Sequence, residues 1–137
     1  MGGGVMQQFV SDREQIRVLL VEDEFLIAEY VADSLAEQGF AVHAVATADE
    51  ALRYLSNAPV DVLFTDINLP GDMDGIMLAR RARELLPGLP VVYASARLFA
   101  LEPEARVPGS IFLPKPYAPE QAGRLLAGIA PPMRVLA

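Results

Sequence analysis

The chain lacks cysteine altogether, and this absence narrows the chemistry available to it. Among its 137 residues there is no cysteine and only one histidine, His43. The chain can therefore form no disulfide, no thiolate metal site and no cysteine nucleophile, and it has no partner set for zinc. Nothing points to an oxidising compartment, so we expect a cytoplasmic protein.

Positive charge and long apolar runs are also scarce. The chain has 11 Lys and Arg against 18 Asp and Glu, a formal net charge of −7. This excess opposes attraction to a phosphate backbone or an anionic membrane surface, so we expect no direct nucleic-acid partner and no membrane partner. No apolar run approaches the roughly 18 residues that a membrane span needs, and the N-terminus has no signal-peptide pattern.

The chain has enough apolar material for one compact domain. Of its residues, 53% are hydrophobic and 21% are charged, which suits a single core at this length. We expect a flexible N-terminal tail over residues 1–16, one folded domain over residues 17–130 and a short C-terminal tail over residues 131–137.

Short β-branched apolar runs alternate with longer helical patterns along the domain. This alternation is typical of parallel strands joined by crossover helices. It predicts an α/β fold, a doubly wound five-stranded parallel sheet of the flavodoxin-like (βα)5 type with strand order 2-1-3-4-5. The predicted strands cover residues 16–22, 40–46, 60–66, 90–95 and 110–114.

Local signals place several helix boundaries. Thr47 and Glu50 form a capping-box pattern that predicts a helix starting at Ala48, and Pro119 suits the first position of the last helix. Pro103 costs about 3 kcal/mol inside a helix, so we expect a short or broken helix between strands four and five. The inward faces of the first, third and last helices are expected to carry Ile27, Val31 and Leu35, then Leu78, Ala82 and Leu85, and then Leu125, Leu126 and Ile129.

Polar side chains follow four of the five predicted strands. Glu22 and Asp23 come after the first strand, Asp66 after the third, Ser95 after the fourth and Lys115 after the fifth. Ligands of doubly wound sheets bind at the carboxyl ends of the strands. We therefore expect these groups to form one site.

Three acids at one sheltered edge require compensation. Two unit charges about 4 Å apart interact by roughly 4 kcal/mol at an effective dielectric of 20. A divalent cation removes the repulsion, and hard oxygen ligands suit Mg²⁺, with Mn²⁺ as a substitute. A metal beside a carboxylate, a lysine and a hydroxyl is suited to phosphoryl transfer, because the carboxylate can attack phosphorus while the cations neutralise the transferring oxygens.

The stretches VLLVEDE, FTDINLPGDMDG, VVYASA and FLPKP occur in this order at characteristic spacings. Together they resemble the receiver domain of bacterial two-component response regulators, of the stand-alone type. The resemblance extends from about Arg17 to Ala130. Because only seven residues follow Ala130, we expect no attached output domain, and signalling through phosphorylation-dependent protein contacts.

The resemblance implies a role for each site residue. Asp66 would be the phosphoacceptor, supplied by a sensor histidine kinase or a histidine phosphotransfer protein. Asp23 and Asp66 would bind Mg²⁺ directly, Glu22 through water, and Asn68 through its backbone carbonyl. Lys115 would contact the phosphoryl group.

The resemblance also implies a switch and a cis peptide. Ser95 matches the switch hydroxyl and Phe112 the switch aromatic, and the Lys115–Pro116 bond is expected to be cis. Gly75 lies nine residues after Asp66, one more than the common family spacing, so the intervening loop is expected to differ in shape. Family members often form homodimers through the region of the fourth helix, so the resemblance implies a possible homodimer here. The prolines of this region argue against it.

Alternative interpretations stay open at this point. An aspartyl-phosphate hydrolase of the haloacid dehalogenase type would need a second Asp two residues after the nucleophile, where this chain has Asn68. A phosphorylation-independent interaction module is a further alternative. Taken alone, Ser95 could be a helix cap and Phe112 could be an ordinary core residue. We expect Glu24 in the first turn of the first helix. We expect His43 to be a surface or packing residue.

Overall fold

The computed structural model describes residues 15–96 and 104–130. Within these residues each of the first three strands is followed by a helix, and the last strand is followed by the last helix. The strands are β1 (Arg17–Val21), β2 (Ala41–Val45), β3 (Val62–Asp66), β4 (Val91–Ser95) and β5 (Ile111–Pro114), and the helices are α1 (Phe25–Glu37), α2 (Ala48–Asn57), α3 (Gly75–Leu85) and α4 (Pro119–Ile129).

The strands form one parallel sheet in the order β2-β1-β3-β4-β5, which confirms the predicted fold class and strand order. Every residue of β3 and β4 is buried, as expected for central strands covered on both faces. In the register of these two strands, Asp66 pairs with Ala94. The last residue of β3 and the end of β4 therefore lie side by side.

Each face of the sheet has its own hydrophobic core. Leu63 and Tyr93 belong to the core on the face covered by α2 and α3, while Phe64 and Val92 belong to the core covered by α1 and α4. This division follows from the pleat, since successive side chains of a strand point to opposite faces. Side chains two residues apart on β4 therefore share a face.

Several local predictions are confirmed. The Thr47 hydroxyl accepts a hydrogen bond from the Glu50 N–H at 3.1 Å, and the Glu50 carboxylate accepts one from the Thr47 N–H at 3.1 Å, which completes the capping box. Helix α4 begins at Pro119. His43 is exposed on β2, and its ring stacks on that of Tyr54 with centroids 3.9 Å apart.

Other local predictions are wrong by one position. In α1 the buried stripe is Ala28, Val31 and Leu35, and Ile27 is 37% exposed at its border. Leu85 is 48% exposed because the stripe of α3 continues to the following residue, Leu86, which packs against the core. The relevant helical spacing is three or four residues, so a neighbouring apolar residue can take the inward position.

Glu24 also lies elsewhere than predicted. It is the N-cap residue of α1 rather than a member of the first turn, and its side chain makes no capping hydrogen bond. Its backbone N–H instead donates to the Glu22 carboxylate at 3.1 Å. Glu24 thus helps to fix the side chain of Glu22.

The fourth helix was predicted within residues 96–109, and half of that stretch, residues 97–103 with Pro103, lies outside the described residues. The part that is described, residues 104–110, forms turns rather than a helix. The predicted tails lie largely outside the described residues as well. Among the helices of residues 15–96 and 104–130, none has the length and apolar character to cross a membrane.

Candidate functional site

The polar residues predicted at the strand ends lie at one edge of the sheet. Glu22 follows β1, Asp66 ends β3, Ser95 ends β4 and Lys115 follows β5. The Lys115 N–H donates to the Ser95 carbonyl at 2.8 Å, which continues the pairing of β4 and β5 beyond the last strand residues. This hydrogen bond fixes the position of the Lys115 backbone, from which the side chain extends over the ends of the neighbouring strands.

Three carboxylates converge at this edge. One oxygen each from Glu22, Asp23 and Asp66 lies within 4.8 Å of the others. Glu22 and Asp66 are buried, at 4% and 8% exposed, while Asp23 is exposed. Carboxylate oxygens from a partly open cluster suit a hard cation that keeps several waters, so this donor set fits Mg²⁺ or Mn²⁺.

The ammonium of Lys115 lies against two of these acids. Its Nζ is 2.8 Å from Asp66 Oδ1 and 3.2 Å from Glu22 Oε1, and its side chain is 23% exposed. Two buried carboxylates thus share one cation, which leaves the cluster with an excess of negative charge. The site retains capacity for a further cation.

The surroundings shift the pKa of both partners upward. Burial raises the pKa of Asp66 to about 7, because the hydrogen bond from Lys115 only partly opposes desolvation and the Glu22 charge adds to it. Burial acts to lower the pKa of Lys115, but its hydrogen bond to Asp66 and the nearby negative charges outweigh burial, so the pKa is raised. The lysine therefore stays charged.

Glu22 is held by backbone contacts. Its N–H donates to the Val45 carbonyl at 3.0 Å, and its carboxylate accepts from the Glu24 N–H and from Lys115. These contacts aim both carboxylate oxygens at defined partners. The Glu22 carboxylate is thereby held within the three-acid cluster.

The loop after β3 folds back on Asp66 through Gly75. The Gly75 N–H donates to the Ile67 carbonyl at 2.7 Å. A Cβ added to Gly75 would lie well inside contact distance of the Asp66 carbonyl oxygen and 2.9 Å from the Ile67 Cα. Helix α3, with Asp74 as its N-cap, therefore begins directly against the backbone of Asp66.

The other predicted positions lie around this centre. Ser95 is 3% exposed and stands one residue beyond Ala94, the register partner of Asp66. Phe112 is half-buried on β5 and packs against the core covered by α2 and α3. Asn68 is exposed in the loop after β3, so the second-acid position of a haloacid dehalogenase carries an amide at the surface. The Lys115–Pro116 peptide is cis, as the resemblance implied.

Sequence reasoning missed Tyr117. Tyr117 lies two residues after Lys115, and its ring packs against that of Phe64 with centroids 5.6 Å apart. Burial raises the pKa of Tyr117, and the charges of Asp66 and Glu22 add to this effect. Tyr117 thus provides an apolar, neutral wall beside the charged cluster. An aromatic residue directly after Lys-Pro was the available signal.

A parallel sheet in the order 2-1-3-4-5, with an acidic cluster and a lysine at its carboxyl edge, defines a receiver-type domain. Residues 18–125 match the family model described as response regulator receiver domain. The chain belongs to this family.

Individual relatives agree with this assignment. The chain is 33% identical over 93 residues to the sensor histidine kinase RcsC of Escherichia coli; this match covers 68% of the chain and 10% of RcsC, so the chain spans a tenth of that relative's length. A response regulator receiver protein from Sinorhizobium medicae WSM419 is 33% identical with a TM-score of 0.79, over 85% of this chain and 94% of that one. The chemotaxis response regulator CheY4 of Vibrio cholerae is 26% identical with a TM-score of 0.73, over 84% and 98%.

Proposed function

We propose that Asp66 accepts a phosphoryl group and that the domain, residues 17–130, signals through the resulting change. The observation that carries this proposal is the convergence of the carboxylates of Glu22, Asp23 and Asp66 within 4.8 Å, with the Lys115 ammonium 2.8 Å from Asp66. A nucleophilic carboxylate beside fixed positive charge is the arrangement that phosphoryl transfer to an acid requires.

Mg²⁺ is the proposed cofactor, and Mn²⁺ its substitute. Asp23 and Asp66 would bind the ion directly, Glu22 through water and Asn68 through its backbone carbonyl. When bound, the ion supplies positive charge for the oxygens of the transferring group. The excess negative charge of the cluster supports this assignment, since one lysine cannot balance three acids.

In the proposed transfer step the nucleophile is the Asp66 carboxylate, and the transferred group comes from a phosphohistidine. An Asp66 carboxylate oxygen attacks phosphorus, the bond from phosphorus to the imidazole nitrogen of a phosphohistidine breaks, and the electron pair stays on that nitrogen. Lys115 donates a hydrogen bond to a phosphoryl oxygen, and the Ser95 hydroxyl donates one to another. Hydrolysis of the acyl phosphate by water returns the free carboxylate, which limits the lifetime of the signal.

The proposed phosphate donor is a sensor histidine kinase or a histidine phosphotransfer protein in the cytoplasm. The relative RcsC is itself named a sensor histidine kinase, which supports this class of donor. The proposed output is a protein that binds only the phosphorylated form. Gel filtration of the chain alone, phosphorylated and unphosphorylated, shows whether phosphorylation produces a homodimer. If it does not, the output requires a different protein.

The test is phosphorylation by acetyl phosphate with Mg²⁺, followed by the intact mass of the protein. We expect one added phosphoryl group on the wild type and none on Asp66→Asn. Asp49→Asn, which removes an exposed acid from the first turn of α2, is the matched control and should be phosphorylated normally. An unmodified wild type, or a modified Asp66→Asn variant, would overturn the proposal.

A further inference from the structure

The turns of residues 104–110, here called the 104–110 segment, are tied to α3 by two arginines. Arg80 Nη2 donates to the Ala105 carbonyl at 3.1 Å, and Arg83 Nη2 donates to the Pro108 carbonyl at 2.8 Å. Arg83 Nε also donates to the Leu89 carbonyl at 2.6 Å, which holds the guanidinium against the chain just before β4. The segment that leads into β5 is therefore fastened to α3.

A buried tyrosine hydroxyl fastens the same segment to β4. The side chain of Tyr93 is fully buried, and its hydroxyl accepts a hydrogen bond from the Val107 N–H at 3.1 Å. The Ser110 hydroxyl donates to the Val107 carbonyl at 2.7 Å, so both the N–H and the carbonyl of Val107 are hydrogen-bonded. Since this N–H is buried, loss of the tyrosine hydroxyl would leave it without that acceptor.

Tyr93 also stands beside both proposed switch residues. Ser95 lies two residues further along β4 and thus faces the same side of the sheet, and Phe112 is the register partner of Tyr93 on β5. Close-packed interiors transmit small displacements rather than absorbing them. Phe112 packs against the core cluster that contains Tyr93, so a movement of Phe112 would reach the Tyr93 ring, whose hydroxyl is bonded to Val107.

Helix α3 has its own contact with the phosphoacceptor. Gly75, its first residue, packs on the backbone of Asp66. Arg80 and Arg83 lie on the same helix, less than three turns away. The 104–110 segment is thus connected to the Asp66 region by two routes, through α3 and through Tyr93.

We propose that Tyr93, Arg80 and Arg83 couple the phosphorylation of Asp66 to the conformation of the 104–110 segment. This coupling rests on the proposed function and names a regulatory device within it. Tyr93 acts as a positioning residue, because it contacts neither the carboxylate cluster nor a bound group but links the switch residues to the segment. Phosphorylation changes how often the segment opens, and the segment presents that change at the surface through Glu104 and Pro108, which are exposed.

The experiment is amide hydrogen exchange of the full chain with Mg²⁺, with and without excess acetyl phosphate, together with the intact mass of each sample. In the wild type, phosphorylation should change the exchange rate of the amides of the 104–110 segment by about fivefold or more, the effect of making or breaking one hydrogen bond. Tyr93→Phe removes only the hydroxyl. It should accept the phosphoryl group as the wild type does, yet show no phosphorylation-dependent change in this segment.

Matched variants separate coupling from general loosening. Tyr54→Phe removes a hydroxyl from α2, and Arg81→Gln removes an exposed cation from α3; both should keep the wild-type response. Arg83→Gln should lose the response as Tyr93→Phe does, and it tests the coupling even if Tyr93→Phe fails to fold.

The outcomes are distinct. A phosphorylated wild type whose 104–110 segment does not respond would overturn the coupling while leaving the phosphoacceptor intact. A full response in Tyr93→Phe and Arg83→Gln would overturn it as well. A wild type that gains no phosphoryl mass would overturn the proposed function and the coupling together.

Discussion

Lys115 forms an ion pair with Asp66 across the end of an intervening strand. Its Nζ lies 2.8 Å from Asp66 Oδ1, although the two residues belong to the ends of β5 and β3, which are separated by β4. Two strand spacings amount to about 10 Å, a distance that a long, nearly extended lysine side chain can cross. The same ammonium reaches Glu22 beyond β1. One side chain thus connects the ends of β1, β3 and β5.

Replacing this lysine should have opposite effects on metal binding and on phosphorylation. In Lys115→Gln the site loses a cation, so Mg²⁺ should bind more tightly, as measured by calorimetric titration. The initial rate of phosphorylation by acetyl phosphate should fall about tenfold or more, because a charge on the transferring oxygens is no longer neutralised.

Arg124→Gln, on the exposed side of α4, makes the same change in net charge away from the site and is the control. If Lys115→Gln weakened Mg²⁺ binding, the ion would not share the carboxylates with the lysine.

The raised pKa of Asp66 predicts a pH-dependent stability of the metal-free protein. The pKa is about 7 in the folded state against an ordinary 3.8, so the folded state binds the proton more tightly. The stability this provides is fully present below pH 3.8 and is lost as the pH rises through 7. The raised pKa of Lys115 adds no slope in this window, because the lysine is charged in both states.

With a chelator present, the free energy of unfolding should therefore fall by on the order of a few kcal/mol between pH 5 and pH 8. Tm should fall with it. Asp66→Asn should flatten that decline. Added Mg²⁺ should raise Tm more at pH 8 than at pH 5, because it binds the ionised carboxylate. A wild type and an Asp66→Asn variant with parallel pH profiles would contradict the assignment of this titration.

Gly75→Ala should destabilise the protein. Its Cβ would collide with the backbone of Asp66 and Ile67, which cannot move without disturbing β3, so we expect a loss of about 1–3 kcal/mol in urea unfolding. Gly128→Ala is the control, because a Cβ there meets nothing within 4 Å and should stabilise α4 by about 0.5–1 kcal/mol. Equal effects of the two substitutions would show that Gly75 is not in close contact with Asp66.

Asp23 should be required for metal affinity. It is the exposed member of the three-acid cluster, so its substitution by Asn removes a ligand charge with little cost to the core. We expect Mg²⁺ affinity to fall about tenfold or more in Asp23→Asn, since a hard cation binds carboxylates far better than amides. Asp33→Asn removes an exposed acid from α1 and should leave the affinity near that of the wild type; a similar loss in both variants would indicate only bulk electrostatics.

The sequence was sufficient to predict the sheet and the meeting of its polar strand ends. Parallel strands share a carboxyl edge, so the positions of Glu22, Asp66, Ser95 and Lys115 in the chain determine their neighbourhood once the strands are recognised. Capping of α2 by Thr47 was equally predictable, because the signal is local.

Contacts that depend on packing were not predictable in this way. Ile27 and Ala28 are both apolar, and the rotation of α1 that buries Ala28 is determined by the shape of the core rather than by residue type. The hydrogen bond from Val107 to the Tyr93 hydroxyl joins residues 14 positions apart and depends on the register of β4 and β5. The contact of Gly75 with Asp66 depends likewise on how the intervening loop folds back.

The most direct test of the central claim is to locate the phosphoryl group. Borohydride reduces an aspartyl phosphate to homoserine, and tandem mass spectrometry of the digested protein identifies the residue so converted. After treatment with acetyl phosphate, homoserine is predicted at position 66 when Mg²⁺ is present and at no position when the metal is removed by a chelator. Homoserine at another aspartate, or conversion of residue 66 that is independent of Mg²⁺, would contradict the account.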